Sequence, residues 1–164
     1  MQRTLIKDAP NLIGQIVKLS GWVHIRRDHG KLIFIDLRDR SGMVQVVIIP
    51  DSAEAYETAK CLRSEFVVSI EGLIKERPMS AQNEKIGTGS VEIEAKKIEI
   101  IQKTEGELPV DISQENMELN LETLLNHRLL TLRNEKVKAI FKVYAELLFA
   151  YAQTMRSDGF TEIK

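Results

Sequence analysis

The chain has 164 residues, 43% hydrophobic and 29% charged, with a net charge of -1 and one cysteine. This suits one folded domain with an appendage, and the lone Cys61 excludes a disulfide framework and a cysteine zinc site. Near-neutral charge argues against unselective coating of nucleic acid. No apolar run approaches the roughly 20 residues of a membrane span, and the N-terminus has no signal-peptide core, which predicts a cytoplasmic protein with no membrane partner.

Charge is unevenly spread. Residues 1–50 carry eight Lys or Arg against four Asp or Glu, whereas residues 51–102 carry seven against ten. The first third therefore offers a local basic footprint.

Residues 1–15 read as a leader, with Pro10, Asn11 and Gly14 as turn formers. From Ile16 the pattern alternates, with Val17, Leu19, Gly21, Val23 and Ile25 on one face and Lys18, Ser20, Trp22, His24 and Arg26 on the other. This predicts a long half-buried strand. A turn at Asp28, His29 and Gly30 leads into a second strand over residues 31–38. Its apolar face is Ile33, Ile35 and Leu37, and its polar face holds Phe34, Asp36 and Arg38. A phenylalanine among Arg26, Arg27, Lys31 and Arg38 is either covered by a loop or free to stack on a nucleic-acid base while the cations meet phosphate. Asp36 and Asp39 flank Arg38 and read as its salt-bridge partners.

After Ser41 and Gly42, residues 43–49 form an apolar third strand whose only polar side chain is Gln45. That amide is either satisfied in the interior or donates and accepts toward a base edge. Asp51 or Ser52 caps a short helix with Ala55, Ala59 and Leu62 on its apolar face, and Cys61 reads as a small packed side chain on it. A fourth strand spans residues 66–75. A polar loop follows, in which the Gly87-Thr88-Gly89 run is a turn rather than a phosphate cradle. A fifth strand covers residues 91–101, and its phase slips near Lys96 and Lys97, which predicts a bulge.

Three strands, a helix and two strands in about 90 residues is the order of an all-β OB-fold, a five-stranded Greek-key barrel whose second and third strands and first-second and fourth-fifth loops hold oligonucleotides. Phe34, Gln45, Arg26, Arg27, Lys31 and Arg77 then share one barrel surface. Single-stranded RNA is read in this manner, with bases on aromatics and hydrogen bonds to their edges.

Beyond the barrel, residues 102–133 read as a linker with some local helix. Asn134 caps a long helix in which Val137, Ile140, Phe141, Tyr144, Leu147, Leu148, Tyr151 and Met155 form an apolar stripe. Asp158 and Gly159 stop it, and residues 159–164 read as a turn entering a strand. An unpartnered stripe and a strand at the last residue predict that further chain belongs to this fold. No phosphate loop, paired-His metal spacing or nucleophile elbow is present, so no catalytic residue and no metal site is assigned.

The segments GWVHIRRDHGKLIFIDLRDRSGMVQVV, GLIKERP, GTGSVEIEA, HRLLTLRN and DGFTEI closely resemble the N-terminal part of aspartyl-tRNA synthetases, class II enzymes. Lysyl and asparaginyl enzymes share the barrel, but FIDLRDRSGMVQ is similar to the aspartyl type. The resemblance implies an anticodon-binding domain over residues 1–103, a hinge over 104–133, and over 134–164 the start of an α/β catalytic domain, whose first motif helix lies at a homodimer interface. It also implies that Phe34 stacks on the middle anticodon base, a uracil, and that Gln45 hydrogen-bonds the same base. Arg27 and Arg77 contact the anticodon loop in such enzymes, and Glu92 lies near the first anticodon base. His29 and Pro78 resemble the relaxed type that charges the asparagine tRNA as well as the aspartate tRNA. The parent enzyme uses ATP and Mg²⁺, and the motifs that bind ATP and aspartate are absent here, so this chain is expected to be inactive alone. A free-standing OB-fold interaction module with a helical dimerisation tail is the alternative.

Overall fold

The computed structural model describes residues 2–106, 108–114 and 116–163. The chain divides into two compact units, Met1–Glu107 and Leu108–Lys164.

The first unit is a closed barrel in the order β1-β2-β3-β5-β4, built from Ile16–His29, Leu32–Arg38, Met43–Ile48, Val67–Glu76 and Val91–Gln102. Neighbours are antiparallel except β3 and β5, which run parallel. Period-two alternation sends Val17, Leu19, Val23, Ile33, Ile35, Leu37, Val44, Val46, Ile70, Ile74 and Ile93 inward, all at most 4% exposed. The helix between β3 and β4, α1 (Ala53–Lys60), adds Ala55 and Ala59 to this core, followed by Leu62. Its Ser52 N-cap makes no side-chain cap bond, and the Ser52 carbonyl instead accepts from the Tyr56 amide at 2.8 Å. Cys61 ends the helix and is exposed, not packed. The leader is a 3₁₀ helix, Ile6–Leu12, that buries Ile6 and Ala9.

Of the register shifts among the described residues, which include one near the end of β5 at Ile101, two bear on the expected alternation. In β5, Glu71 pairs with Lys97 and Gly72 with Ala95, so Lys96 is the extra residue where the apolar phase slips. In β1, Val23 faces Leu37 and Ile25 faces Asp36, so His24 is extra and the strand's phase inverts after it. The expected grouping of Ile25 with Val23 therefore fails. Past the bulge, Ile25 and Arg27 share the outer face with Asp36 and Phe34, while Arg26 pairs with inward Ile35. Strict alternation would have set Arg27 on the core face after Val23. At Gly21 the strands pass so closely that an added Cβ would lie 2.3 Å from the Arg38 carbonyl oxygen. Gly30, at φ +65, supplies the left-handed step of the β1–β2 turn.

The second unit contains α2 (Leu121–Asn126), α3 (Arg128–Thr131) and α4 (Glu135–Ser157). Asn134 caps α4 as expected. Its Oδ1 accepts from the amides of Lys136 at 3.1 Å and Val137 at 3.3 Å, and its Nδ2 donates to the Gln114 carbonyl at 2.7 Å. Replacing Asn134 with Ala should cost about 1 kcal/mol in this helix start and speed hydrogen exchange at Lys136 and Val137 about fivefold.

At 23 residues α4 extends about 35 Å, and Ile140, Tyr144, Leu147, Leu148 and Tyr151 are exposed along it. It stops at Gly159, φ +88, with the Gly159 amide donating to Arg156 and the Phe160 amide to Met155. Residues 160–163 complete this helix stop and form no strand, contrary to expectation; Lys164, the end of the expected strand, lies outside the described residues.

Candidate nucleic-acid interface

Strand register brings most of the expected site residues into one track. Phe34, half-buried on the outer face of β2, lies opposite Arg27 on β1 and Val47 on β3. Two residues along β2, Asp36 lies opposite Gln45, and Gln45 lies opposite Glu92 on β5. Residues paired this way project from the same face, with side chains about 5 Å apart. Glu92 Oε2 in turn stands 3.8 Å from Arg77 Nε in the β4–β5 loop. The track thus runs from the β1–β2 turn diagonally across β2, β3 and β5 to that loop.

At one end, His29 meets Phe34 edge-on, with ring centroids 5.5 Å apart and an interplanar angle of 86°. This contact sets the imidazole at right angles to the phenyl ring at this end of the track. At the other end, Arg77 is held by its backbone, which donates to Ser90 at 2.8 Å and accepts from Gln82 Nε2 at 3.1 Å. Its Nε is buried without a hydrogen-bond partner among the described residues. Pro78 follows it, exposed, and opens the 3₁₀ turn Met79–Ala81. The loop is tied to the barrel by Thr88, whose hydroxyl donates to the Met43 carbonyl, so the Gly87-Thr88-Gly89 run is a packed turn as expected.

The expected cations do not act alike. Arg26 departs from the track: its Nε donates to the Ala59 carbonyl at 2.9 Å and its Nη2 to Asp28 at 2.7 Å. Arg27 stays on the track but is clamped by Asp36 through two bonds of 2.8 Å. Lys31 is exposed in the β1–β2 turn. Arg38 is buried against Glu65 at 2.7 Å, with His24 Nδ1 at 3.2 Å, so Asp36 and Asp39 are not its partners. Asp39 instead accepts from the amides of Ile6, Ser41 and Gly42 and the Ser41 hydroxyl, which fixes the β2–β3 turn. Beside the track, hydrogen bonds from Lys75 and Lys96 hold the Glu94 carboxyl below its ordinary 4.5.

The arrangement offers one aromatic face, one amide and the Asp36 and Glu92 carboxylates along one track, flanked by the Arg27 guanidinium, which is fixed on Asp36, and by that of Arg77, 3.8 Å from Glu92. Such a surface can stack a splayed base and hydrogen-bond its edge. Among the described residues no group of three or more His, Cys, Asp or Glu side chains is placed to hold a metal ion. No described helix is long and apolar enough to cross a membrane.

The chain is 43% identical over 155 residues to an aspartate–tRNA ligase of Staphylococcus saprophyticus, covering 94% of this chain and 26% of that protein. It is 42% identical over 154 residues to an aspartate–tRNA(Asp/Asn) ligase of a Synechococcus strain, covering 93% and 25%. It therefore spans about a quarter of the length of the curated relatives it matches. Among solved structures, asparaginyl-tRNA synthetase from Pyrococcus horikoshii, complexed with asparaginyl-adenylate, matches with a TM-score of 0.81 and 33% identity over all of this chain and 36% of that one. Residues 17–101, which contain all five strands but for the first residue of β1 and the last of β5, match the family described as OB-fold nucleic acid binding domain, the tRNA anticodon family. With the closed five-stranded barrel and its polar track in place, the chain belongs to the family of OB-fold nucleic-acid-binding domains of the tRNA anticodon type.

Proposed function

We propose that this chain is the anticodon-reading part of an aspartate–tRNA ligase. The continuous track from Phe34 through Gln45 and Glu92 to Arg77 carries this reading, supported by the similarity to aspartate–tRNA ligases. The middle anticodon base, a uracil, stacks on Phe34, and the Gln45 amide hydrogen-bonds its exposed edge. Glu92 takes the neighbouring first base, and Arg27 and Arg77 contact the loop. Arg26 and Lys31 lie outside this constellation; Lys31 remains available to the backbone of the RNA, while Arg26 serves the barrel.

The whole ligase activates aspartate with ATP and Mg²⁺ and esterifies the terminal ribose of the tRNA in the cytoplasm, as a homodimer joined through the exposed stripe of α4. The resemblance assigns no ATP- or aspartate-binding motif to these 164 residues, and the chain alone is expected not to form the adenylate. His29 acts on specificity through its contact with the Phe34 ring, and Pro78 through the direction it gives the loop after Arg77. These two residues make the enzyme accept the asparagine tRNA beside the aspartate tRNA. The test is aminoacylation by the full-length enzyme with each tRNA transcript. Aspartate should appear on both; charging of the aspartate tRNA alone overturns the relaxed specificity, and charging of neither overturns the ligase.

A further inference from the structure

We infer that Asp36 sets how strongly and how salt-dependently the track holds RNA, acting by withholding the Arg27 charge from RNA phosphate. The inference rests on the anticodon-reading function proposed above. Arg27 lies opposite Phe34, and Asp36 lies two residues from Phe34 and opposite Gln45, so the pair sits between the stacking ring and the amide. Arg27 Nη1 donates to Asp36 Oδ2 and Nη2 to Oδ1, both at 2.8 Å, a two-point geometry that fixes the plane of both groups. The Asp36 side chain is 15% exposed and that of Arg27 41%, so the carboxylate is sunk beneath a guanidinium that still faces solvent.

A free arginine at this place would bind phosphate whatever the base, because phosphate contacts add affinity without sequence information. Paired, it contributes almost no net charge and keeps only its remaining N–H donors for neutral contacts. The neighbouring arginines follow the same pattern, Arg26 with Asp28 and Arg38 with Glu65. Each arginine of β1 and β2 is thus paired with a carboxylate, and stacking and edge hydrogen bonds are left to decide what binds.

The experiment is equilibrium binding of the 164-residue chain to two anticodon stem-loop RNAs, with uracil or cytosine at the middle position, from about 50 to about 200 mM salt. Wild type, Asp36→Asn and the double variant Arg27→Gln with Asp36→Asn are compared. Asp36→Asn should bind both RNAs more tightly by the same factor, keep the uracil preference, and steepen the log–log salt slope by about 0.7, the increment for one phosphate contact on a single strand. The double variant, with one neutral pair replacing another, should keep the wild-type slope. An unchanged slope in a folded Asp36→Asn overturns the inference. So does a double variant shallower than wild type by about 0.7, because Arg27 would then already hold a phosphate; this arm decides even if the single variant does not fold. A wild-type chain that binds both RNAs alike overturns the anticodon reading itself, a result distinct from either.

Discussion

Replacing Glu65 with Ala should destabilise the barrel by about 3 to 5 kcal/mol, the largest effect expected of any single substitution away from the track. Glu65 is 3% exposed and Arg38 6%, and they meet at 2.7 Å. Removing the carboxylate leaves a guanidinium that cannot give up its proton in a site that water does not reach. The loss also spreads. Arg38 closes the last pair of both the β1–β2 and β2–β3 ladders, opposite Trp22 and Met43, and its carbonyl is what excludes any side chain at Gly21. Glu65 itself sits at φ +63, with its amide donating to the Val23 carbonyl at 2.7 Å beside the β1 bulge. A non-glycine residue held there indicates that the surrounding bonds overdetermine the backbone. Glu65→Gly should therefore be milder than Glu65→Ala by about 1 kcal/mol, since it relieves the left-handed conformation while losing the same ion pair. Urea unfolding of the three proteins measures both differences, and a loss below about 1 kcal/mol for Glu65→Ala would contradict a structural role for the pair.

The barrel was legible because its strands are half-buried and therefore alternate, and because turns at Gly30, Gly42 and Pro50 separate them. The β5 bulge was legible too, since two consecutive lysines break the alternation of an otherwise regular strand. The β1 bulge was not, because His24 is tolerated on either face and the inversion hides in the Arg26-Arg27 doublet, where both residues have the same chemistry. That one residue decides which arginine joins Phe34. Ion-pair partners were misread for a related reason: Asp36 and Asp39 are near Arg38 in sequence, whereas its partner Glu65 comes 27 residues later, from the turn before β4. Asp36 shares the outer face with Arg38 but is taken by Arg27 from the neighbouring strand, and Asp39, beyond the end of β2, is taken by backbone amides, so sequence proximity is a poor guide to pairing there. The stop of α4 was read correctly from Asp158 and Gly159, but the apolar Phe160 and Ile163 after it looked like strand, and in the fold Phe160 closes the helix end.

Replacing Phe34 with Ala should weaken binding of the anticodon stem-loop by about 1 to 3 kcal/mol, the usual worth of one base stacked on an aromatic side chain. The ring lies in the outer face of the barrel, beside His29 and opposite Arg27 and Val47, so its truncation removes a platform without opening the core. The barrel should stay folded, with its melting temperature little changed. Base preference should fall along with affinity, because Gln45 would then address a base that nothing holds in place.

Comparing wild type and Phe34→Ala on stem-loops with uracil or cytosine at the middle anticodon position tests the central claim most directly. The prediction is a clear preference of the wild-type chain for uracil, and a variant that binds about 5- to 150-fold more weakly with most of that preference gone. Equal affinity of wild type and variant for the uracil stem-loop would contradict the assignment of this face of the barrel as the surface that reads the anticodon.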